Sequence, residues 1–249
     1  MIFHPLHLEC SIPTSLNDPF NGIPTPIANL ATEDLKGLIF SNVASNSDWN
    51  GETTKGKMFG VLVVKDENLS IGYLGAYSGQ IGGRADWDDF VPAVYDYLQP
   101  DGHFKMTERQ RTGINHYVDK LSRSSICLLD LEKKESLEAE LMELKHRRHA
   151  MSKDLQKWLF SKFVMLNNRG EKRDLNEIFK VQLNKLPPSG SGECCAPKLL
   201  QYAFMHNLIP LSIAEFWLGT LPNAENRENN HFYGACENKC RPILNFMLG

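Results

Sequence analysis

The sequence predicts a mixed α+β (or α/β) fold: a small central sheet containing a β-hairpin, several helices and one long coiled-coil-like helix. Two runs dense in β-formers, MFGVLVV (58–64) and IGYLGAY (71–77), flank a short polar connector and predict the hairpin. Leucines at steps of three, four and seven within 130–165 predict the long helix. Cysteines gathered in the last quarter of the chain, Cys194, Cys195, Cys236 and Cys240, mark where its distinctive chemistry lies.

The chain has 249 residues, 42% hydrophobic and 23% charged, enough to bury a core and ordinary for a globular protein. Its net charge of −3 provides no general basic field for nucleic acid. Any RNA contact must come from a local patch or another domain. No apolar run approaches the roughly 20 residues of a membrane span. The opening MIFHPLHLEC has no Lys or Arg ahead of its apolar residues, so no secretory signal is expected, and a cytoplasmic location is the expectation. Six cysteines in this length are too few for a disulfide scaffold. In a reducing compartment, clustered cysteines point to metal or redox chemistry.

Three parts are expected. Residues 1–125 form an N-terminal α/β part around the hairpin 58–77, 130–166 the long amphipathic helix, and 186–249 a cysteine-containing αβα part that packs with 31–77 as one core. Residues 1–30 carry Pro13, Pro19, Pro24 and Pro26 and read as an extended lead-in. Thr32, before Glu33 and Asp34, reads as the N-cap of a short helix ending near Val43. SNSDWNGETTKGK reads as a polar loop. Both hairpin runs are nearly continuously apolar, which places them in the centre of a sheet covered on both faces. SGQIGGRADWDDF (78–90) is a glycine-containing loop without the Gly-Lys-Ser/Thr of a phosphate loop. Its acidic residues around Trp87 read as solvated. FVPAVYDYL reads as a turn or short helix, and charges and apolar residues mix at helical spacing in FKMTERQRTGINHYVDKL.

In the long helix, Leu137, Leu141, Leu144, Met151, Leu155 and Trp158 form the seam, interrupted at Arg148. This seam is a candidate homo-oligomer surface. KHRRH (145–149) reads as a solvated basic face. Asn167-Asn168-Arg169-Gly170 is expected to end the helix with a C-cap glycine. DLNEIFKVQL is a short helix, and LPPSGSGE (186–193) a linker into the cysteines.

A helix is expected to begin near Pro197, a suitable first position. Cys194 and Cys195 then sit at its N-terminus, where N–H groups and the helix dipole favour a thiolate. IAEFWLG (213–219) is a strand, NAENRENNHFYGA a loop, and CENKCRPILNFML a second helix. Cys236 and Cys240, four apart, share a face if that helix includes Cys236. One zinc can take Cys194, Cys236 and Cys240, with His231 or water as the fourth ligand. The competing reading makes these cysteines small buried hydrophobes. Trp217 reads as a core aromatic or a base-stacking surface, and Lys198 and Arg227 as an anion or nucleotide contact near the helix start.

Several long motifs carry a resemblance. G-x-G-E-C-C-A-P-K-L-L-Q-Y-A, A-E-F-W-L-G and H-F-Y-G-A-C-E-N-K-C-R-P-I-L, with the upstream G-K-M-F-G-V-L-V-V, S-K-D-L-Q-K-W-L-F-S-K-F and N-N-R-G-E, resemble the N-terminal extension of a subset of bacterial RluA-family pseudouridine synthases. The resemblance runs from about residue 30 to the C-terminus. It implies an accessory role in RNA modification, with RNA (rRNA or tRNA) engaged through a catalytic domain or partner. That domain's H-R-L-D-x-x-T-S-G type motif, whose aspartate carries the isomerisation, does not occur here, so no catalytic residue is expected and the chain alone is expected to be inactive. The cysteine block also resembles zinc-dependent deaminases in outline, with Cys194 as first ligand, Cys236 and Cys240 as the second pair, and Ala196 where those enzymes carry their catalytic glutamate. That likeness implies a degenerate core with 80–185 inserted, metal-binding but catalytically inactive. A structural coiled-coil oligomerisation module is the remaining expectation.

Overall fold

A computed structural model describes residues 2–7, 11–99, 102–126, 131–220 and 227–249. They form a mixed α+β structure divided into two compact units, Met1–Tyr95 with Phe163–Gly249, and Asp96–Lys162. The segments before and after the long helix share one core, and the helix pairs with its neighbour in the other unit.

The first unit is built on a five-stranded antiparallel sheet. Its strands are β1 (His4–Pro5), β2 (Lys57–Lys65), β3 (Ile71–Tyr77), β6 (Ile209–Leu218) and β7 (His231–Tyr233), in the order β1-β3-β2-β6-β7. The hairpin β2–β3 stands where its continuous apolar runs place it. β2 is central, with β3 on one side and β6 on the other.

Strand alternation sorts the core into two faces. Phe59, Val61, Val63, Tyr73, Tyr77, Ala214 and Phe216 face Ile27, Ala31, Leu35 and Ile39 of helix α1 (Pro26–Ser45) and Trp49 of α2 (Ser47–Lys55). On the opposite face, Gly60 lies against Cys195 and Leu199 of α6 (Cys195–Met205). Helix α7 (Cys240–Leu248) buries Ile243, Leu244, Phe246 and Met247, and α5 (Leu175–Leu183) buries Leu175, Ile178 and Phe179. Truncating one such fully buried leucine or isoleucine to alanine costs roughly 2–5 kcal/mol.

Four local expectations are corrected. Helix α1 begins at Pro26, capped by Thr25, whose hydroxyl accepts the Ala28 N–H at 3.3 Å. Thr-Pro supplies both cap and first residue, and Thr32 instead donates to Ala28 O within the helix. The polar stretch after it is α2, because Asn46 caps it through the N–H groups of Asp48 and Trp49 and the Trp49 side chain is fully buried. Asn167–Gly170 is the turn of a small hairpin, β4 (Val164–Leu166) with β5 (Lys172–Asp174). The Asn167 side-chain oxygen accepts from Arg169 N and Glu171 N, and Gly170 takes the positive φ (83°) that suits a turn as well as a helix end. Part of the expected loop NAENRENNHFYGA forms β7 and pairs with β6, and 221–226 lie outside the described residues.

The second unit pairs α3 (His103–Ile126) with α4 (Leu131–Lys162). Contacts His103–Trp158, Arg111–Ser152 and Asn115–Arg148 make the pair antiparallel. Leu141 and Leu155 of the expected seam are buried within this unit. Arg148, the seam's gap, donates to Asn115 Oδ1 at 3.2 Å. No helix among the described residues is long and apolar enough to cross a membrane.

Candidate metal centre

Two helix starts and one strand build the site. Cys194 is the N-cap of α6 and makes no side-chain capping bond, so its sulfur is free to point away from the helix. Helix α6 begins at Cys195, making Pro197 its third residue rather than its first. Cys240 is the first residue of α7, and Cys236 lies in the turn before it. Cys236 and Cys240 therefore meet through a turn, not through a shared helical face. That turn is closed by Cys236 O accepting the N–H groups of Cys240 and Arg241 at 3.1 and 3.2 Å.

The sulfurs of Cys194, Cys236 and Cys240 all lie within 4.8 Å of one another, and those of Cys236 and Cys240 are 3.3 Å apart. Four thiolates around zinc at the usual bond length of about 2.3 Å stand about 3.8 Å apart, so the spacing fits a tetrahedral metal with small adjustments. The cysteines lie close enough to hold a metal ion. Hydrogen bonds from the Cys194 and Cys240 thiols hold the Cys236 thiol well below the usual thiol range, and the Lys239 and Cys240 N–H groups add to the effect. Cys194 and Cys240 are pushed up because they share protons with that thiolate. The N-termini of α6 and α7 both meet here, and their partial positive charge suits an anionic cluster.

The approach of α6 to the sheet depends on Gly60. A Cβ there would stand 2.8 Å from the Cys195 Cβ. Directly across from Gly60 on β6 is Glu215. It is 7% exposed, and its Oε1 accepts the Ala196 N–H at 2.9 Å. Burial pushes the carboxyl up to about 7, against the opposing hydrogen bond from Ala196. Glu215 is not among the residues that the sequence motifs single out. The signal was there in an acid set inside the apolar strand IPLSIAEFWL.

Cys194, Cys236, Cys240, Glu215, Trp217 and Arg227 line one open cavity of about 320 Å³. The Arg227 guanidinium lies 5.3 Å over the Trp217 ring and 5.0 Å over Tyr233. The indole of Trp217 fills a slot between Gly56 and Gly219, and its Nε1 has no hydrogen-bond partner among the described residues. Lys198 is not brought to this cavity. It is buried under the sheet, donating to Tyr77 O at 2.8 Å, and burial lowers its ammonium to about 8. His231 lies on β7 opposite Trp217, exposed, with its ring against Tyr233, outside the group of three sulfurs. Cys195 is also outside it, its sulfur 3.4 Å from Met58 O.

No protein-family model, curated protein or solved structure matches the chain.

Proposed function

We propose that this chain is a zinc-binding accessory module of an RluA-type RNA pseudouridine synthase. The observation that carries the zinc is the meeting of three cysteine sulfurs within 4.8 Å at the starts of two helices. Three soft ligands of this kind suit zinc, and a protein without disulfide density has few other uses for such a cluster. The metal would tie the α6 start to the turn before α7, across the strand that separates them in sequence. When bound, zinc supplies Lewis acidity, the property that activates water near neutral pH. The accessory role is supported by the sequence motifs that resemble the extension. Uridine isomerisation then belongs to a catalytic domain bearing the aspartate motif, and rRNA or tRNA is engaged through it.

A second reading is a zinc-binding deaminase-like core. It is favoured by the order of parts: Cys194 at one helix start, β6 next, then Cys236 and Cys240 leading into the following helix. With Ala196 in the glutamate position, the outline by itself implies an inactive core.

Elemental analysis of the purified chain tests the zinc. One zinc per chain is expected, falling below about a fifth of that in Cys236→Ser. A folded wild-type chain without metal would overturn it. Incubation of the chain alone with unmodified rRNA and tRNA is expected to leave every uridine unchanged; pseudouridine formation would contradict the accessory role.

A further inference from the structure

We propose that Glu215 is the proton-transferring carboxylate of a hydrolytic site built on the three cysteines, a proposal that rests on their holding a metal. Glu215 stands in the middle of an apolar strand, more than nine-tenths buried. An acid in that setting costs stability unless something compensates it. One oxygen is satisfied by the Ala196 N–H. The other accepts no hydrogen bond among the described residues, and the side chain lines the cavity that the three sulfurs line.

Two features make this arrangement a reaction site rather than a brace. Among the described residues three protein ligands gather, and three leave the fourth zinc position open, whereas structural zinc sites are closed by four. The residue after the Cys194–Cys195 pair has no carboxylate, yet its N–H holds one, presented from β6. Ala196 lacks the acid and Glu215 supplies it from the neighbouring strand. The cavity, about 320 Å³, lies at the lower end of small-molecule pockets.

The reaction class is hydrolysis at an sp² carbon of a small ester or amide. Water oxygen forms a bond to the carbonyl carbon while Glu215 takes a proton from that water. The bond to the leaving oxygen or nitrogen then breaks, and Glu215 returns the proton to the leaving group. The products are a carboxylic acid and an alcohol or amine, with no net oxidation.

The test uses the full zinc-loaded chain with 4-nitrophenyl acetate as substrate probe and acetohydroxamate as a binding probe. Wild type is expected to hydrolyse the ester above the rate of free zinc. Glu215→Gln, which keeps an acceptor for the Ala196 N–H, is expected to retain one zinc and lower kcat/KM about 100-fold. It is also expected to weaken acetohydroxamate binding about tenfold, through loss of one charge-assisted hydrogen bond. Glu215→Asp, one methylene shorter, is expected to keep zinc and lose most of the rate. Zinc-loaded wild type no faster than free zinc, or Glu215→Gln within twofold of wild type, would overturn this inference and leave the zinc reading standing. Loss of zinc in Glu215→Gln would assign the residue to holding the metal site and overturn it too. A wild-type chain that binds no zinc would overturn both.

Discussion

Gly60 and Cys195 stand so close that any side chain on the glycine would place its Cβ 2.8 Å from the cysteine's. The contact lets the N-terminus of α6 reach the sheet, and with it Cys194 and the Ala196 N–H. Gly60→Val must therefore push α6 outward. The expected result is a loss of roughly 1–3 kcal/mol in urea unfolding, with weaker zinc binding by competition against a chelating dye. Gly51, inside α2 with open space around it, is the control; Gly51→Ala should leave zinc binding unchanged.

Removing the metal should lower stability by linkage, because the ligands are gathered only in the folded chain. Dialysis against a chelator is expected to lower Tm by several degrees, about 2 kcal/mol or more at saturating metal. Readdition of zinc should restore it. Cys194→Ser should start at the lower Tm and show no response to chelator.

The buried Glu215 carboxyl, raised to about 7 by its surroundings from an ordinary 4.5, gives a signed pH dependence in the metal-free chain. The folded state holds this proton more tightly than the unfolded state. The contribution is fully present below pH 4.5 and is lost as pH rises through 7. The nearby Cys236 thiolate raises the Glu215 value, while Arg227 and the Ala196 N–H lower it. Cys236 itself has the opposite slope, since its folded value is depressed. The comparison with Glu215→Gln removes that common part. Relative to the glutamine variant, wild type should lose at most about 3 kcal/mol between pH 4.5 and 8, read from urea midpoints. An unchanged difference across that range would show that folding does not raise the Glu215 value.

Leu141→Asp tests the helical pair by itself. The residue is buried on α4, the helix that pairs with α3. An unpaired carboxylate there should reduce helical circular dichroism and lower the stability of the unit by about 2–4 kcal/mol. Zinc stoichiometry should not change. Equal loss of zinc would show that the cysteine site depends on this unit.

The parts legible in the sequence were those with a strong period or a run. The hairpin β2–β3 announced itself through two apolar stretches, and the seam through Leu141 and Leu155. Even the gap at Arg148 was visible, although its solution, a bond to Asn115, was not. The missed parts depended on one residue outweighing its neighbours. The polar sequence of α2 conceals that Trp49 alone anchors it against Phe59 and Tyr77. Asn167 turns a hairpin where a helix-ending glycine was expected, because one side chain accepts two backbone bonds. At the site, Cys194 was placed correctly at a helix start, and Cys236 and Cys240 came together by a turn that no periodicity encodes. Glu215 was overlooked because its partner, the Ala196 N–H, is a backbone group nineteen residues away.

Cys194 and Cys236 lie on either side of β6 in sequence, and β6 pairs along its length with β2, about 150 residues earlier. Their convergence is expected to follow that distant pairing, because β6 carries the chain from one cysteine to the other. With zinc held as proposed, its capture is expected late in folding, and a zinc-sensitive dye would act as a clock for it. In refolding started by dilution from urea, the dye should lose zinc to the protein only after the far-ultraviolet signal of the sheet has settled. A fast phase of zinc uptake, if one appeared, would have to come from Cys236 and Cys240 alone, and would be weak enough for the dye to reverse.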